Sequence, residues 1–225
     1  MSLNEARERA RRAAAGVEGW LSEAQGEALF DAAAAAQGRG AIVEIGSWKG
    51  RSTIWLASGA RQAGQQVYAI DPHAGSREDA TARTFDVFRA NIAAAGLADV
   101  VVPLVMTSAA AARQIAQDVE VLFIDGDHSD AGASADGDVW LPRLLDGGTV
   151  LMHDVVTAGY TGPRRVFRRR ICWSPDFDRV RRVGSMGIAR RVSRRGLGAA
   201  AWGRMAGAML YLLDVKRAMR RIRGK

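Results

Sequence analysis

Acidic and imidazole side chains stand at the ends of the short apolar runs in this 225-residue sequence. The first run ends in Glu44-Ile45-Gly46, and later runs end in Asp71-Pro72-His73, in Asp125-Gly126-Asp127-His128 and in His153-Asp154. All three histidines of the chain therefore lie at such ends. Carboxylates accept hydrogen bonds from hydroxyl groups, and imidazole exchanges a proton near neutral pH. We therefore expect the chemistry of this protein at these positions.

The segment after the first run favours one kind of ligand loop over two others. A phosphate-binding loop needs GxxxxGK followed by Ser or Thr, and a dinucleotide fingerprint needs GxGxxG; residues 44–52 fit neither. The spacing is instead Glu44, one residue, then Gly46-x-x-x-Gly50, with Asp71 ending the next run. A bare glycine at position 46 lets a ligand approach the backbone closely. The lack of a third nearby glycine suits a ligand without a pyrophosphate.

This combination resembles the class I S-adenosylmethionine-dependent methyltransferases. The strings EIGSWKGRSTIWLA, YAIDPH, FIDGDHS and LMHDVV narrow the resemblance to methyltransferase domain family twenty-four, which groups with the macrocin-type sugar O-methyltransferases. The resemblance covers roughly residues 20–190. It implies an α/β, Rossmann-like fold with a doubly wound, mostly parallel seven-stranded sheet that ends in an antiparallel hairpin.

The resemblance also implies which residues bind S-adenosylmethionine. Asp71 is placed to accept hydrogen bonds from both ribose hydroxyls. The expected cofactor-binding residues are Glu44, Gly46, Ser47, Trp48, Gly50, Ser52, Asp71 and Asp125. An ordinary strand–helix turn followed by a terminal acid is the alternative interpretation of this segment.

A divalent metal, Mg²⁺ or Mn²⁺, is implied by the same family and by the related catechol-type enzymes. Mapped onto this chain, its ligands are Asp125, His153 and Asp154. The catechol-type pair at the last two positions is an acid and an amide, and the macrocin-type pair is two acids, so the histidine is a departure. His153 either ligates the metal or shapes the pocket, and Asp127 and His128 are further candidates. Without a metal, these polar groups would hydrogen-bond to loop backbones.

Methyl transfer to a hydroxyl needs a group that removes the hydroxyl proton. We expect His128 to be this base, since imidazole accepts a proton at neutral pH, and we expect Asp125 to act with it in catalysis. A histidine that only orients the metal or packs in the core is the alternative. Tyr160 and Trp173 are expected either to line the acceptor pocket or to pack in the core.

Short apolar runs and helical stretches alternate along the chain, which predicts a parallel sheet covered by helices on both faces. The predicted helices are 4–15, 22–37 with a Ser22/Gln25 capping box, 52–63, 81–95, 107–117, 130–145, 164–172 and 199–223. The predicted strands are 41–45, 66–70, 100–105, 121–124, 149–152, 177–183 and 186–192. Gly147-Gly148 is expected to turn the chain, and Gly184-Ser185 to join a β-hairpin.

Charge is distributed unevenly along the chain, whose formal net charge is +8. Residues 160–225 hold 19 Lys/Arg and 3 Asp/Glu, whereas residues 1–159 hold 13 Lys/Arg and 21 Asp/Glu. We expect N-terminal helices at 1–40, a methyltransferase domain at 41–192 and a basic helical tail at 193–225. The tail predicts an anionic membrane surface as a partner. The alternative is that Trp202, Met209 and Leu212 pack on the domain or on a second subunit of a homo-oligomer.

The sequence as a whole predicts a metal-assisted O-methyltransferase acting on a hydroxyl of a sugar, a polysaccharide or a glycosylated natural product. The acceptor, a small molecule or an oligosaccharide, follows from the resemblance alone. An RNA methyltransferase and a non-catalytic membrane-surface protein are the alternatives, and the arginines lack the interleaved aromatic residues of an RNA-binding motif. No apolar stretch at the N-terminus resembles a signal peptide, so we expect a cytoplasmic protein, peripheral to a membrane if the tail binds one.

Overall fold

The computed structural model of this protein describes residues 2–74, 84–193 and 203–212. Its helices are α1 (Leu3–Ala15), α2 (Glu23–Ala34), α3 (Arg51–Gln62), α4 (Phe85–Ala94), α5 (Ser108–Gln114), α6 (Asp130–Trp140), α7 (Gly162–Val166) and α8 (203–212). Its strands are β1 (Ala41–Ile45), β2 (Val67–Ile70), β3 (Val101–Leu104), β4 (Val119–Ile124), β5 (Leu144–Met152), β6 (Phe177–Val183) and β7 (Met186–Arg191). A 3₁₀ turn at Leu141–Arg143 follows α6, and a π-helical turn at Phe167–Cys172 follows α7.

The seven strands form one sheet in the order β3-β2-β1-β4-β5-β7-β6. The first five strands are parallel to one another, and β7 runs antiparallel to both β5 and β6. The predicted fold class, with its terminal antiparallel hairpin, is therefore confirmed. The strand order reverses between β1 and β4, which places the expected ligand crevice outside the carboxyl ends of these two strands.

Both faces of the sheet are covered by apolar side chains. The side chains of β1 and β4 are buried along their whole length, as expected of central parallel strands. On one face, α1 and α2 pack against α3, where Gly26 lies so close to Trp55 that a Cβ there would be 2.3 Å from its indole ring. The predicted capping box is present: Ser22 Oγ accepts the Gln25 N–H, and Gln25 Oε1 accepts the Ser22 N–H. The proposed domain boundaries at residues 40 and 192 stay a prediction.

The largest difference from the predicted elements lies between α6 and β5. The helix predicted to run to residue 145 ends at Trp140, and β5 begins at Leu144, ahead of the predicted 149. Gly147-Gly148 do not turn the chain; Leu144 pairs with Val119 and Thr149 with Val121, so the glycines form an irregularity within the strand. Gly147 has a φ of +78°, a left-handed conformation that suits glycine. Such glycines permit a bulge as readily as a turn.

Smaller differences occur at other element ends. The second helix ends at Ala34 where the sequence predicts residue 37, and the predicted basic helix at 164–172 begins at Gly162 and continues as the π turn. The predicted hairpin turn at Gly184-Ser185 is confirmed. The predicted start of the fourth helix at residue 81 lies outside the described residues, as do most of the positions of the predicted helix 199–223, of which 203–212 are helical.

Candidate active site

The loop between β1 and α3 is held tightly against the loop after β4. Its Gly46 has a φ of +87°, and a Cβ there would lie 2.2 Å from the carbonyl oxygen of Asp125. The backbone N–H of Asp125 donates to Ile45 O at 2.8 Å, and that of Gly46 donates to Ile70 O at 2.8 Å. Glycine is thus required because two loops meet at this point, a reason different from the ligand approach that the sequence suggested.

Glu44 is fully buried beneath this loop. Its carboxylate accepts hydrogen bonds from Ser52 Oγ and Thr53 Oγ1, each at 2.5 Å, in the first turn of α3. Burial raises the pKa of Glu44 to about 8, although the two hydroxyls lower it; the negative charges of Asp125 and Asp71 act in the same direction as burial. Glu44 and Ser52, both predicted to bind the cofactor, therefore fasten α3 to β1.

Asp71 holds the same loop from the end of β2. Its Oδ2 accepts the Trp48 N–H at 2.8 Å, and its Oδ1 accepts the His73 N–H at 2.7 Å. Each oxygen keeps a further lone pair, which is what the two hydroxyls of a ribose would require. Ser47 Oγ and Trp48 Nε1 are buried and find no hydrogen-bond partner among the described residues. Unpaired buried polar groups are costly, so these atoms are suited to a polar ligand.

Trp48 also connects this loop to the segment between α1 and α2. Its ring stacks on Trp20 with centroids 4.9 Å apart, and Lys49 Nζ lies 4.5 Å from the same ring. Lys49 in turn pairs with Glu18 at 2.6 Å. The N-terminal segment therefore covers the outside of the loop that follows β1.

Two carboxylates and two imidazoles converge where β4 and β5 end. His128 Nε2 lies 3.3 Å from Asp125 Oδ1 and 3.0 Å from Asp154 Oδ2. His153 Nδ1 lies 3.3 and 3.4 Å from the same two oxygens. We call these four residues the Asp–His cluster. Parallel pairing of β4 with β5 brings it together, because Asp125 and His153 continue the two strands side by side.

The charges of this cluster strongly perturb its pKa values. Burial alone would lower the pKa of both imidazoles, but Asp125 and Asp154 outweigh it and raise the pKa of His128 to about 9 and that of His153 to about 10. Burial would raise the pKa of Asp154, but the two histidines and the Thr157 hydroxyl hold it far below its usual range. Clusters of titratable groups with strongly perturbed pKa values are typical of functional sites.

Backbone strain marks the same strand ends. Among the described residues, four non-glycine residues have a positive φ, and three of them are Trp48, His73 and Asp154, with φ values of 41°, 50° and 58°. Such conformations are uncommon outside glycine and persist only where the surrounding structure enforces them. The strain therefore follows the ends of β1, β2 and β5, which carry the predicted chemistry.

Comparison with known proteins agrees with this geometry. A family model described as a methyltransferase domain, family twenty-four of that name, matches residues 43–155. The chain belongs to this methyltransferase family. The match spans β1 to the end of β5 and includes every residue of the Asp–His cluster. It confirms the family that the sequence resembles, and with it the prediction that the protein is a methyltransferase enzyme.

Solved structures show the same fold. The cofactor-bound protein Rv0187 from MTB is 25% identical, with a TM-score of 0.62 over 86% of this chain and 90% of that one. An O-methyltransferase from Bacillus cereus in complex with SAH is also 25% identical, with a TM-score of 0.60 over 84% and 90%. The O-methyltransferase TomG from Streptomyces achromogenes, solved with SAM, is 22% identical, with a TM-score of 0.60 over 85% and 89%, and shows the likeness of fold.

The donor set of the Asp–His cluster also fits a divalent cation. One ligand atom each from Asp125, His128 and Asp154 lies within 4.8 Å of the other two. His128 Nε2 is buried and is not aligned for a hydrogen bond with any described residue, despite the nearby carboxylates. Carboxylate oxygens with imidazole nitrogen suit Mn²⁺ and later transition ions better than Mg²⁺.

The other predicted candidates take different positions in this methyltransferase. Asp127 points away from the cluster and accepts hydrogen bonds from the N–H and hydroxyl of Ser129, which caps α6. Tyr160 stacks on the His128 ring with centroids 4.3 Å apart. Trp173 is half-exposed and lies under α8, where a Cβ on Gly207 would be 2.3 Å from its indole nitrogen.

Sequence reasoning missed a partly buried chain of polar contacts behind the cluster. Gln25 Nε2 donates to Ser185 Oγ at 2.9 Å, and Ser185 Oγ lies 3.3 Å from His153 Nε2. Ser185 reaches this point because β7 runs antiparallel to β5, which brings the hairpin turn back to the end of β5. The Ser22/Gln25 capping box and the Gly184-Ser185 turn are both visible in the sequence, but only the strand order brings them beside His153.

Proposed function

We propose that this S-adenosylmethionine-dependent O-methyltransferase uses a divalent metal and acts on a hydroxyl of a sugar, a polysaccharide or a glycosylated natural product. The observation that carries the proposal is the joining of two half-sites at Gly46, where the cofactor loop after β1 touches the backbone of Asp125. The sugar class of the acceptor is supported by the resemblance to macrocin-type enzymes.

The cofactor half-site consists of the loop after β1 and the acid after β2. Asp71 would accept the ribose hydroxyls, and Ser47 Oγ and Trp48 Nε1 would supply the unpaired polar atoms that face a ligand. Gly46 and Gly50, with φ values of 87° and 91°, shape the loop. S-adenosylmethionine supplies a methyl group on a sulfonium, whose departure as a neutral thioether needs no acid from the protein.

The acceptor half-site is the Asp–His cluster. Asp125, Asp154 and His153 would hold the cation, and Thr157, which donates to Asp154 Oδ1, would orient that carboxylate. A bound divalent cation supplies Lewis acidity that lowers the pKa of an acceptor hydroxyl. His153 is almost fully buried, so its ring is fixed behind the site, whereas His128 lies at its more open side with 27% of its side chain exposed.

We assign His128 the role of base: a cation held by Asp125 and Asp154 would offset the negative charges that raise its pKa, and Tyr160 stacked behind its ring fixes its position. Its Nε2 faces the same carboxylate oxygens that would hold the cation, so a ligand role is the competing assignment. The two roles separate experimentally. His128→Ala should leave Mn²⁺ affinity nearly unchanged if the residue is a base and should weaken it about tenfold or more if it is a ligand.

Calorimetric titration tests the whole proposal without knowledge of the acceptor. The protein should bind S-adenosylhomocysteine, and Asp71→Ala should weaken this binding by about 1–3 kcal/mol, since buried partners lose their hydrogen bonds. It should also bind Mn²⁺, and Asp125→Asn should abolish that binding. Methyl transfer from labelled cofactor to a panel of sugar hydroxyls, lost with excess chelator, completes the test. Full turnover in excess chelator would contradict the proposed role of the metal. Methyl transfer to RNA alone would contradict the proposed sugar acceptor.

A further inference from the structure

The helix α8 is docked on the methyltransferase domain through one face. Gly207 lies against Trp173 and Cys172: a Cβ there would be 2.3 Å from Trp173 Nε1 and 3.2 Å from Cys172 Cβ. Leu210, one turn further on, is buried in the apolar cluster on that side of the sheet. The helix is therefore anchored to the domain at the contact with Trp173.

Aromatic rings and a guanidinium strengthen this contact. The Arg168 guanidinium lies 5.3 Å from the ring of Trp173 and 5.3 Å from the ring of Tyr211, so it is placed between the domain and the helix. Cation–π contacts at this distance are stabilising. The orientation of α8 about its own axis is thereby fixed. The contacts with the domain therefore determine which residues of the helix face outward.

The opposite face of α8 is apolar and open. Met205, Met209 and Leu212, spaced by four and three residues, form one stripe and are 61%, 66% and 55% exposed. We call these three residues the outer face. Tyr211 is also exposed on α8, but its ring lies beside the Arg168 guanidinium; Leu3 and Val87, exposed too, lie on α1 and α4. A contiguous exposed apolar stripe on a docked helix marks an interaction surface.

Charge indicates what covers the outer face. Arg204 is exposed on the same helix, Arg169 is exposed on the π turn, and the sequence that follows α8 holds six Lys/Arg against one Asp between residues 213 and 225. A second copy of the chain would bring an equally basic region to the contact and be repelled. An anionic lipid surface attracts the cations and accepts methionine and leucine side chains at the headgroup boundary.

We propose that the outer face of α8 inserts into the interface of an anionic membrane, with Arg204 of the same helix near the lipid headgroups. Among the described residues, no helix is long and apolar enough to cross a bilayer. The domain would then be held at the membrane with its C-terminal region against the lipid. This inference does not depend on the metal or on the acceptor of the methyltransferase.

Vesicle sedimentation of the full-length protein tests the proposal. At low salt the protein should sediment with vesicles in which about a third of the phosphatidylcholine is replaced by phosphatidylglycerol, and binding should fall steeply as salt is added. Met209→Asp should weaken this binding at least about tenfold, because it places a carboxylate in the apolar stripe. Leu3→Asp is the matched control, since Leu3 is 46% exposed on α1, and it should bind as the unchanged protein does.

Other outcomes would overturn the proposal. Failure of the full-length protein to sediment with anionic vesicles at low salt would do so, as would equal binding of the Met209→Asp and Leu3→Asp variants. A dimer in light scattering that Met209→Asp dissociates would assign the outer face to a second copy. Tight binding of RNA, in competition with the vesicles and equally strong in the Met209→Asp variant, would assign the basic region to nucleic acid. Circular dichroism and thermal unfolding of each variant establish that it is folded, which the high exposure of Met209 predicts.

Discussion

The loops after β1 and β2 hold their acids in a different way from the loops after β4 and β5. Glu44 and Asp71 are surrounded by hydrogen-bond donors of the chain itself: two hydroxyls for Glu44 and two backbone N–H groups for Asp71. Asp125 and Asp154 instead face two imidazoles, His128 and His153, and their negative charges raise the pKa of both rings. The carboxylates of Glu44 and Asp71 are thus held by neutral hydrogen-bond donors, whereas those of Asp125 and Asp154 lie against ionisable rings.

This difference has a chemical consequence. A site that accepts a neutral ribose needs fixed, preorganised acceptors, which the hydrogen-bonded loop after β1 provides. A site that accepts a cation needs carboxylates whose present partners can be displaced, and here those partners are the rings of His128 and His153. The two halves of the crevice should therefore respond independently to substitution, except at Gly46, where they touch.

The largest expected effect is on metal binding at the acceptor half-site, the Asp–His cluster. Asp154→Asn removes a charge from the Asp–His cluster while keeping an oxygen for the Thr157 hydroxyl, and Mn²⁺ affinity measured by calorimetry should fall about 100-fold or more. Affinity for S-adenosylhomocysteine should change less than about threefold. Asp127→Asn is the control, because its carboxylate accepts hydrogen bonds only from Ser129, the N-cap of α6. Equal loss of both ligands in Asp154→Asn would show that the halves are not independent.

The next effect is at the junction. Gly46→Ala should weaken both S-adenosylhomocysteine and Mn²⁺, because its Cβ would lie 2.2 Å from the Asp125 carbonyl oxygen and displace both loops. Gly64→Ala is the matched control: its φ of +67° carries the same conformational penalty, about 1–3 kcal/mol, but no described atom lies within 4 Å of its Cβ.

Urea unfolding separates the conformational penalty of a positive φ from the steric clash of the new Cβ with Asp125. Gly46→Ala should lower the free energy of unfolding by more than Gly64→Ala, and Gly64→Ala should bind both ligands normally. If the two alanine variants lost the same stability and Gly46→Ala still bound both ligands, the contact between the half-sites would have no energetic weight.

The cofactor half-site was predictable because its residues lie close together along the sequence. Glu44, Gly46 and Asp71 sit at a strand–loop–helix junction and at the next strand end, so spacing along the chain defines them. The converging strand ends of the cluster followed from parallel pairing alone. The side chain that supports His153 could not be predicted, since Ser185 is more than thirty residues away and reaches the site through the register of β7.

Two further features needed the structure for physical reasons. Gly147-Gly148 serve equally well in a turn or in a bulged strand, and only the pairing with β4 decides between them. The direction of Met209 depends on which face of α8 meets Trp173, and its helical spacing alone gives no direction. Of the residues that the sequence alternative packs on the domain, Met209 and Leu212 are exposed and Leu210 takes their place, whereas Trp202 lies outside the described residues.

A smaller effect is expected behind the cluster. Ser185→Ala removes the oxygen beside His153 Nε2, and supporting contacts of this kind contribute about 10- to 100-fold to metal affinity. We expect the lower end, since Asp125 and Asp154 still orient the ring. Ser22→Ala is the control: it removes the cap of α2 and about 1 kcal/mol of stability but leaves the Gln25 side chain and Ser185 in place.

Two-dimensional NMR of the imidazole nitrogens separates positioning from general loss of structure. Ser185→Ala should shift the resonance of His153 Nε2, and Ser22→Ala should not. If Ser185→Ala left both the Mn²⁺ affinity and the His153 nitrogen resonances unchanged, Ser185 would have no role in positioning His153.

The last expected effect is a pH dependence of stability that belongs to the cofactor half-site. Burial raises the pKa of Glu44 to about 8 in the folded protein, above the value of 4.5 for an exposed glutamate. The contribution of Glu44 to stability is therefore fully present below pH 4.5 and is lost as the pH rises towards 8, because the unfolded chain releases the proton first. Glu44→Gln cannot ionise and still accepts a hydroxyl from α3. The free energy of unfolding in urea, measured without metal or cofactor, should thus fall with pH more steeply in the unchanged protein than in Glu44→Gln. Parallel curves between pH 5 and 8 would mean that Glu44 is ionised in the fold and that Ser52 and Thr53 alone satisfy its charge.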